Sequence, residues 1–252
     1  MKVAFWNGIA PAEGVTDNLA AIATTLSLFY HCDVVLGSNY IKNHMLQDCY
    51  SGKMKEEGIA HVPYQLSYGD PEYFRKLWEM KRNRQGDVLE VPMERVTIIY
   101  PPDVTDKKMF YYQVPRKTIY IMDVAGENHT ASQSALEEAD IIVIFLKQDS
   151  VQVQQFFYQY SVIVPKAVFV VDDYQKKGGE SFYKYAENCG VDREEIEIFP
   201  RNCEYKMACE EGKLEFFIRE NLRCPTKNPH YNFMLNLKSI ARVLYERSMK
   251  EH

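Results

Sequence analysis

Short runs of apolar and β-branched residues alternate with longer segments of helical period along most of the chain. Val3–Trp6, Asp33–Gly37, Val96–Tyr100, Thr118–Met122, Ile141–Leu146, Ala167–Val171 and Glu195–Phe199 read as strands. Helical patterns fall between them at Val15–Tyr30, Thr130–Glu138, Ser150–Tyr160, Gly178–Cys189 and Glu204–Glu211, with a last helix near Asn232–Met249. The runs IIVIFL and AVFVV are apolar at every position, the pattern of strands covered by helices on both faces. Strands alternating with helices predict an α/β fold with a doubly wound, mostly parallel sheet in three layers.

The stretch from about Ile41 to Met93 breaks this rhythm. It is rich in Gly and Pro and carries one expected helix start, Asp70 capping before Pro71. It reads as an irregular elaboration, so residues 1–252 are expected to form a single domain. In the basic stretch Arg75–Arg84, Phe74, Leu77 and Trp78 are expected to pack inward while the charges face solvent. Leu237, Ile240, Val243 and Leu244 recur at helical spacing in the last helix and are expected in the core.

Composition narrows the function. Of 252 residues, 46% are hydrophobic and 26% charged, which suits a globular chain with a substantial core. Thirty Lys+Arg against 35 Asp+Glu leave a net charge of −5, which argues against nucleic-acid packaging or a polybasic membrane anchor. No apolar run reaches the length of a transmembrane segment, and Leu19–Tyr30 follows acidic rather than basic residues, unlike a secretory signal. The six cysteines show no paired spacing and read as reduced thiols, which makes the cytoplasm the expected location. The six histidines show no metal spacing.

In open parallel sheets ligands gather at the carboxyl ends of the strands, which directs attention to the loops after Trp6, Gly37, Met122, Val171 and Phe199. After the first strand the chain reads NGIAPAEGVTDN, from Asn7 to Asn18. A strand, a loop holding Gly8 and Gly14, then Val15, Thr16 and Asp17 opening a helix is the layout of a phosphate-binding loop. Backbone N–H groups and the helix N-terminus would cradle phosphates, and Thr16 would offer its hydroxyl to Mg²⁺. Further on, a buried strand ends in Asp123, and Val124-Ala125 leads to Gly126. A strand-end Asp beside such a loop can hold the water shell of Mg²⁺, and Gly126 would let the backbone approach a terminal phosphate.

Taken together, these segments resemble the MinD/ParA group, the deviant Walker A, SIMIBI-class P-loop ATPases, including its divergent branch associated with pilus assembly and septum placement. The resemblance rests on four segments in the family's order. They are the first strand with Gly14-Val15-Thr16; Asp123-Val-Ala-Gly126 followed by ALEEADIIVI; Val170-Val171-Asp172-Asp173-Tyr174; and Ile198-Phe199-Pro200-Arg201-Asn202 followed by Ala208–Gly212. It implies a P-loop NTPase-like, Rossmann-like three-layer fold. It implies ATP or ADP with Mg²⁺ as ligand, Thr16 and Asp123 on the metal side, and Asp172 and Pro200 on the adenine side.

The chain also departs from the family. Ala10 stands where the signature Lys is expected, Val15 where a second Lys precedes the hydroxyl residue, and Leu36-Gly37-Ser38-Asn39 where an Asp usually follows the second strand. Asp172 replaces an Asn. Each lysine–phosphate contact is worth roughly 1.5–3 kcal/mol, so losing two costs about 3–6 kcal/mol, or roughly 10²–10⁴ in affinity. Turnover should fall further, because a cation placed for the transition state is worth about 10³–10⁵ in rate. The expected function is therefore a pseudo-ATPase or weak nucleotide binder. It would act through other proteins of a positioning, pilus or secretion assembly, with a homodimer held by other surfaces open to it and the membrane reached only through partners. Two rivals stand beside it: a slow, active ATPase using a relocated Lys or Arg, and a Rossmann-type dinucleotide enzyme. The second lacks GxGxxG and an acidic residue after the second strand.

Overall fold

The computed structural model describes residues 1–7, 14–38, 48–50, 95–99, 118–124, 130–175 and 179–250. The expected Asp70 helix, the Arg75–Arg84 segment, Gly8 and Gly126 lie outside the described residues.

Seven strands form one sheet: β1 (Lys2–Trp6), β2 (Asp33–Ser38), β3 (Val96–Ile99), β4 (Thr118–Asp123), β5 (Ile141–Leu146), β6 (Ala167–Tyr174) and β7 (Ile196–Pro200). They lie in the order β3-β2-β4-β1-β5-β6-β7, and every described pairing is parallel. The helices are α1 (Val15–Tyr30), α2 (Thr130–Glu138), α3 (Ser150–Tyr160), α4 (Gly179–Asn188), α5 (Cys203–Glu210), α6 (Leu214–Asn221) and α7 (Tyr231–Lys250). The chain runs from β1 to one side of the sheet and, after β4, crosses to the other. The carboxyl end of β1 therefore sits at the switch point where such sheets take ligands.

The doubly apolar strands are doubly covered. Every residue of β4 and β5 is buried. Alternate residues of β1 enter opposite cores, Val3 and Phe5 on one face, Ala4 and Trp6 on the other. The first face packs against α1, α5, α6 and α7, the second against α2, α3 and α4. Because α7 and α6 lie over α1, that helix is buried almost all round from Val15 to Ser27. Leu19, Ile22 and Leu26 are wholly buried, each contributing about 1.5–3 kcal/mol of burial free energy. Leu237, Ile240 and Leu244 face this core as their spacing predicts, with Val243 at its margin.

Two elements depart from the expectation. Helix α6 was not foreseen: Leu214, Phe217 and Ile218 recur at helical spacing, but over only eight residues. Strand β6 runs on to Tyr174, because Asp172 pairs with Phe199 and Tyr174 with Pro200 around a bulge at Asp173, whose φ is 53°. Among the described residues no helix is long and apolar enough to cross a membrane.

Candidate functional site

The first turn of α1 sends three consecutive side chains in three directions, as 3.6 residues per turn requires. Thr16 faces β4 and donates its hydroxyl to Asp123 Oδ2 at 2.6 Å. Asn18 faces β6 and donates to Asp172 Oδ1 at 2.8 Å, while its own Oδ1 accepts from the Tyr205 hydroxyl of α5 at 3.1 Å. Asp17 turns between them, its Oδ1 3.3 Å from the Cys49 sulfur.

The loop that precedes them ends in a left-handed residue. Gly14, at φ 89°, occupies the N-cap position, and no side chain caps the helix there. Its glycine is required by the backbone rather than by space, since an added Cβ would meet nothing closer than Asp172 Oδ2 at 3.9 Å. With no side-chain cap from Gly14, the N–H groups of the first turn and the positive end of the α1 dipole face the switch point, a setting suited to an anion.

Asp123 is 1% exposed, and its Oδ1 has no hydrogen-bond partner among the described residues. Burial lifts its carboxyl to about 6, with the Thr16 hydroxyl opposing and the Asp17 charge adding to the rise. Above that value it is ionised, with one oxygen committed to Thr16 and the other without a partner among the described residues. A hydroxyl, a carboxylate oxygen and an anion-binding helix end within one corner are hard donors of the kind that hold Mg²⁺ together with phosphates, so the residues present fit the ion.

One cation reaches this corner that spacing could not select. Lys147 follows β5 directly, and its Nζ lies 2.7 Å from Asp172 Oδ2. Its turn is pinned: Gln148 and Gln175 exchange hydrogen bonds of 2.9 and 2.6 Å, the Lys147 N–H donates to Gln152 Oε1, and Asp149 caps α3. The Lys147 side chain is half exposed and Asp172 nearly buried. The sheet thus brings Gly14, Val15, Thr16, Asp17, Asp123 and Asp172 together around one end of α1. Pro200 ends β7 at the sheet edge, roughly 14 Å from β1 by strand spacing, and is not part of that cluster.

Glycine also matters on the far side. An added Cβ at Gly37 would lie 2.9 Å from the Tyr120 hydroxyl and 3.1 Å from Met122 Cε, so these two side chains of β4 fill the space that a side chain at Gly37 would need.

No family model and no curated protein matches the sequence. Solved structures do match the fold. A ParA family ATPase from Chlorobium tepidum aligns at a TM-score of 0.62 and 10% identity, covering 95% of this chain and 98% of its own. MinD in the MinC:MinD cell division complex of Aquifex aeolicus aligns at 0.59 and 12% identity, covering 97% and 95%. The septum site-determining protein MinD of Pyrococcus horikoshii, complexed with Mg-ADP, aligns at 0.61 and 10% identity, covering 97% and 96%.

The chain has a MinD/ParA-like P-loop fold. Identities this low speak for the fold alone. Within the MinD/ParA-like framework the corner at Gly14, Thr16 and Asp123 sits at the carboxyl ends of β1 and β4, and the cation beside it comes from the β5–α3 turn. Lys147 and the Asp17–Cys49 contact are features that the sequence pattern does not reveal. Both depend on pairings distant in sequence.

Proposed function

We propose that this chain binds Mg²⁺ with ATP or ADP weakly at the α1 N-terminus, turns it over very slowly or not at all, and works through protein partners in spatial positioning or assembly. The supporting observation is the Thr16–Asp123 hydrogen bond of 2.6 Å beside the uncapped, left-handed Gly14, in a loop with Val15 in place of lysine. Thr16 and Asp123 would hold Mg²⁺, and first-turn amides would take the phosphates. When bound, the ion neutralises charge on the phosphate oxygens. Among the described residues the side chains of this corner otherwise carry three carboxylates (Asp17, Asp123, Asp172) against the Lys147 ammonium at Asp172 and the Lys206 charge that acts on Asp17, which disfavours a polyphosphate without the metal. The Mg-ADP complex and the MinC:MinD complex of the structural neighbours support the ligand and the mode of action.

A thermal-shift titration with ATP, ADP and GTP, with and without Mg²⁺, tests this. Ligand at ten times its Kd stabilises the native state by about 1.4 kcal/mol. The expected result is a shift at millimolar Mg-ATP that disappears in Thr16→Ala, with steady turnover at background. No shift with any nucleotide would overturn nucleotide binding.

A second reading, a slow active ATPase, draws on Lys147. Its ammonium bonds the carboxylate nearest Gly14 and is the relocated cation such an enzyme would need. Steady ATP hydrolysis abolished by both Lys147→Met and Asp123→Ala would favour it over the first.

A further inference from the structure

At the α1 N-terminus three ligand-type side chains converge from distant parts of the chain. Asp17 comes from α1, Cys49 from the short helical stretch at 48–50 and Cys209 from α5. A carboxylate oxygen and the two sulfurs all lie within 4.8 Å of one another, with Cys49 Sγ 3.3 Å from Asp17 Oδ1 and the two thiols in contact. Both cysteines are buried, and Asp17 is half-buried.

We propose that Asp17, Cys49 and Cys209 form a binding site for one zinc ion, with a fourth position left for water. In a tetrahedral zinc site, metal–sulfur bonds of about 2.3 Å and metal–oxygen bonds of about 2.0–2.2 Å put neighbouring donors about 3.6–3.8 Å apart. The observed triangle needs only small side-chain adjustments to reach that. Two sulfurs and one oxygen favour a borderline-soft ion, zinc above all, over Mg²⁺ or Ca²⁺. Zinc takes the thiols as thiolates, so both sulfur protons leave to solvent on binding. Asp17, the one of the three that is not fully buried, marks the way in. The bound ion would tie residues 48–50 and α5 to the helix that carries Thr16, and its ligands are not those of the Mg²⁺ corner, which would be Thr16 and Asp123, although the Asp17 charge lies near enough to Asp123 to raise its carboxyl.

The test uses the full chain, stripped of metal under reducing conditions and titrated with Co²⁺, then Zn²⁺. The expected result is a thiolate-to-cobalt absorption that saturates at one equivalent and is bleached by one equivalent of zinc. Zinc should also shield Cys49 and Cys209, and not the other four cysteines, from alkylation mapped by mass spectrometry. Replacing Cys32, Cys189, Cys203 and Cys224 by Ser should leave the absorption intact, whereas Cys49→Ser or Cys209→Ser should lower affinity at least tenfold. Asp17→Asn should weaken it with the sulfur absorption retained. A folded wild-type chain that gives no stoichiometric thiolate absorption overturns the site, as does an absorption that survives loss of both Cys49 and Cys209. So does zinc that leaves both thiols open to alkylation, a readout that needs no variant.

Discussion

Asp123 lies under Thr16 with one carboxylate oxygen bonded to the Thr16 hydroxyl and the other without a partner among the described residues, where α1 meets the end of β4. The pair joins residues 107 positions apart and is wholly buried. A buried carboxylate without a full complement of donors is costly when ionised, and its persistence at the switch point makes sense when a cation completes it.

The same relationship predicts a pH dependence. The Asp123 carboxyl rises to about 6 in the fold from 3.8, so between those values the folded chain holds a proton that the unfolded chain has lost. Its contribution to stability is complete below the unfolded value and is lost as pH rises through about 6, an effect of about 3 kcal/mol. Asp123→Asn, which stays neutral, should melt higher than wild type at pH 7.5 without nucleotide. That advantage should vanish near pH 4. Thermal melts across this range check it, and a variant less stable by the same margin at every pH would contradict it.

Gly14 should resist substitution for backbone reasons. At φ 89°, with free space around the missing Cβ, Gly14→Ala meets no clash yet must hold a left-handed conformation. The expected loss is about 1–2 kcal/mol, read from urea unfolding. Gly37→Ala is the contrasting case. Its φ is not the problem, but its Cβ would press on Tyr120 and Met122, and the cost of about 1–3 kcal/mol should be relieved in part by Met122→Ala.

Tyr205 ties α5 to the site through Asn18. Its hydroxyl donates to Asn18 Oδ1 at 3.1 Å in a fully buried setting, and the amide of the same Asn18 donates to Asp172. Tyr205→Phe keeps the ring among Phe199, Phe217 and Phe233 but strands an acceptor. A loss of about 1–2 kcal/mol is expected, together with faster amide exchange in the first turn of α1. Unchanged exchange there would separate Tyr205 from the site.

Much of this was legible because it is local. The runs at Ile141–Leu146 and Val15–Tyr30 carry their own period and boundaries, and Asp123 could be singled out because it ends a strand of β-branched, aromatic and apolar residues. What escaped has a physical cause in each case. Helix α6 is too short to establish a period by itself and is held by the core beneath Phe217 and Ile218. Strand β6 is extended by its pairing with β7, which no pattern in Asp172–Tyr174 encodes. The cysteine spacing gave no sign of a cluster, since Cys49 and Cys209 meet only when α5 docks beside α1. Lys147 looked like one surface lysine among many until β5 and β6 were set side by side.

The Lys147–Asp172 pair yields the sharpest prediction, because its partners differ in exposure. Lys147 is half in solvent, so the pair itself adds little stability. Asp172 is nearly buried and, without Lys147, would keep among the described residues only the Asn18 amide. Lys147→Met should therefore destabilise by about 1–3 kcal/mol, mostly through the charge left behind. Asp172→Asn in the same chain should restore most of it, and the double-mutant cycle should give a coupling above about 0.5 kcal/mol. The cycle also reads on nucleotide. If the ammonium leaves Asp172 for a phosphate, Lys147→Met lowers Mg-ATP affinity about tenfold or more, whereas Asp172→Asn alone raises it by freeing the lysine. Equal affinities in all four chains would mean that Lys147 serves Asp172 alone.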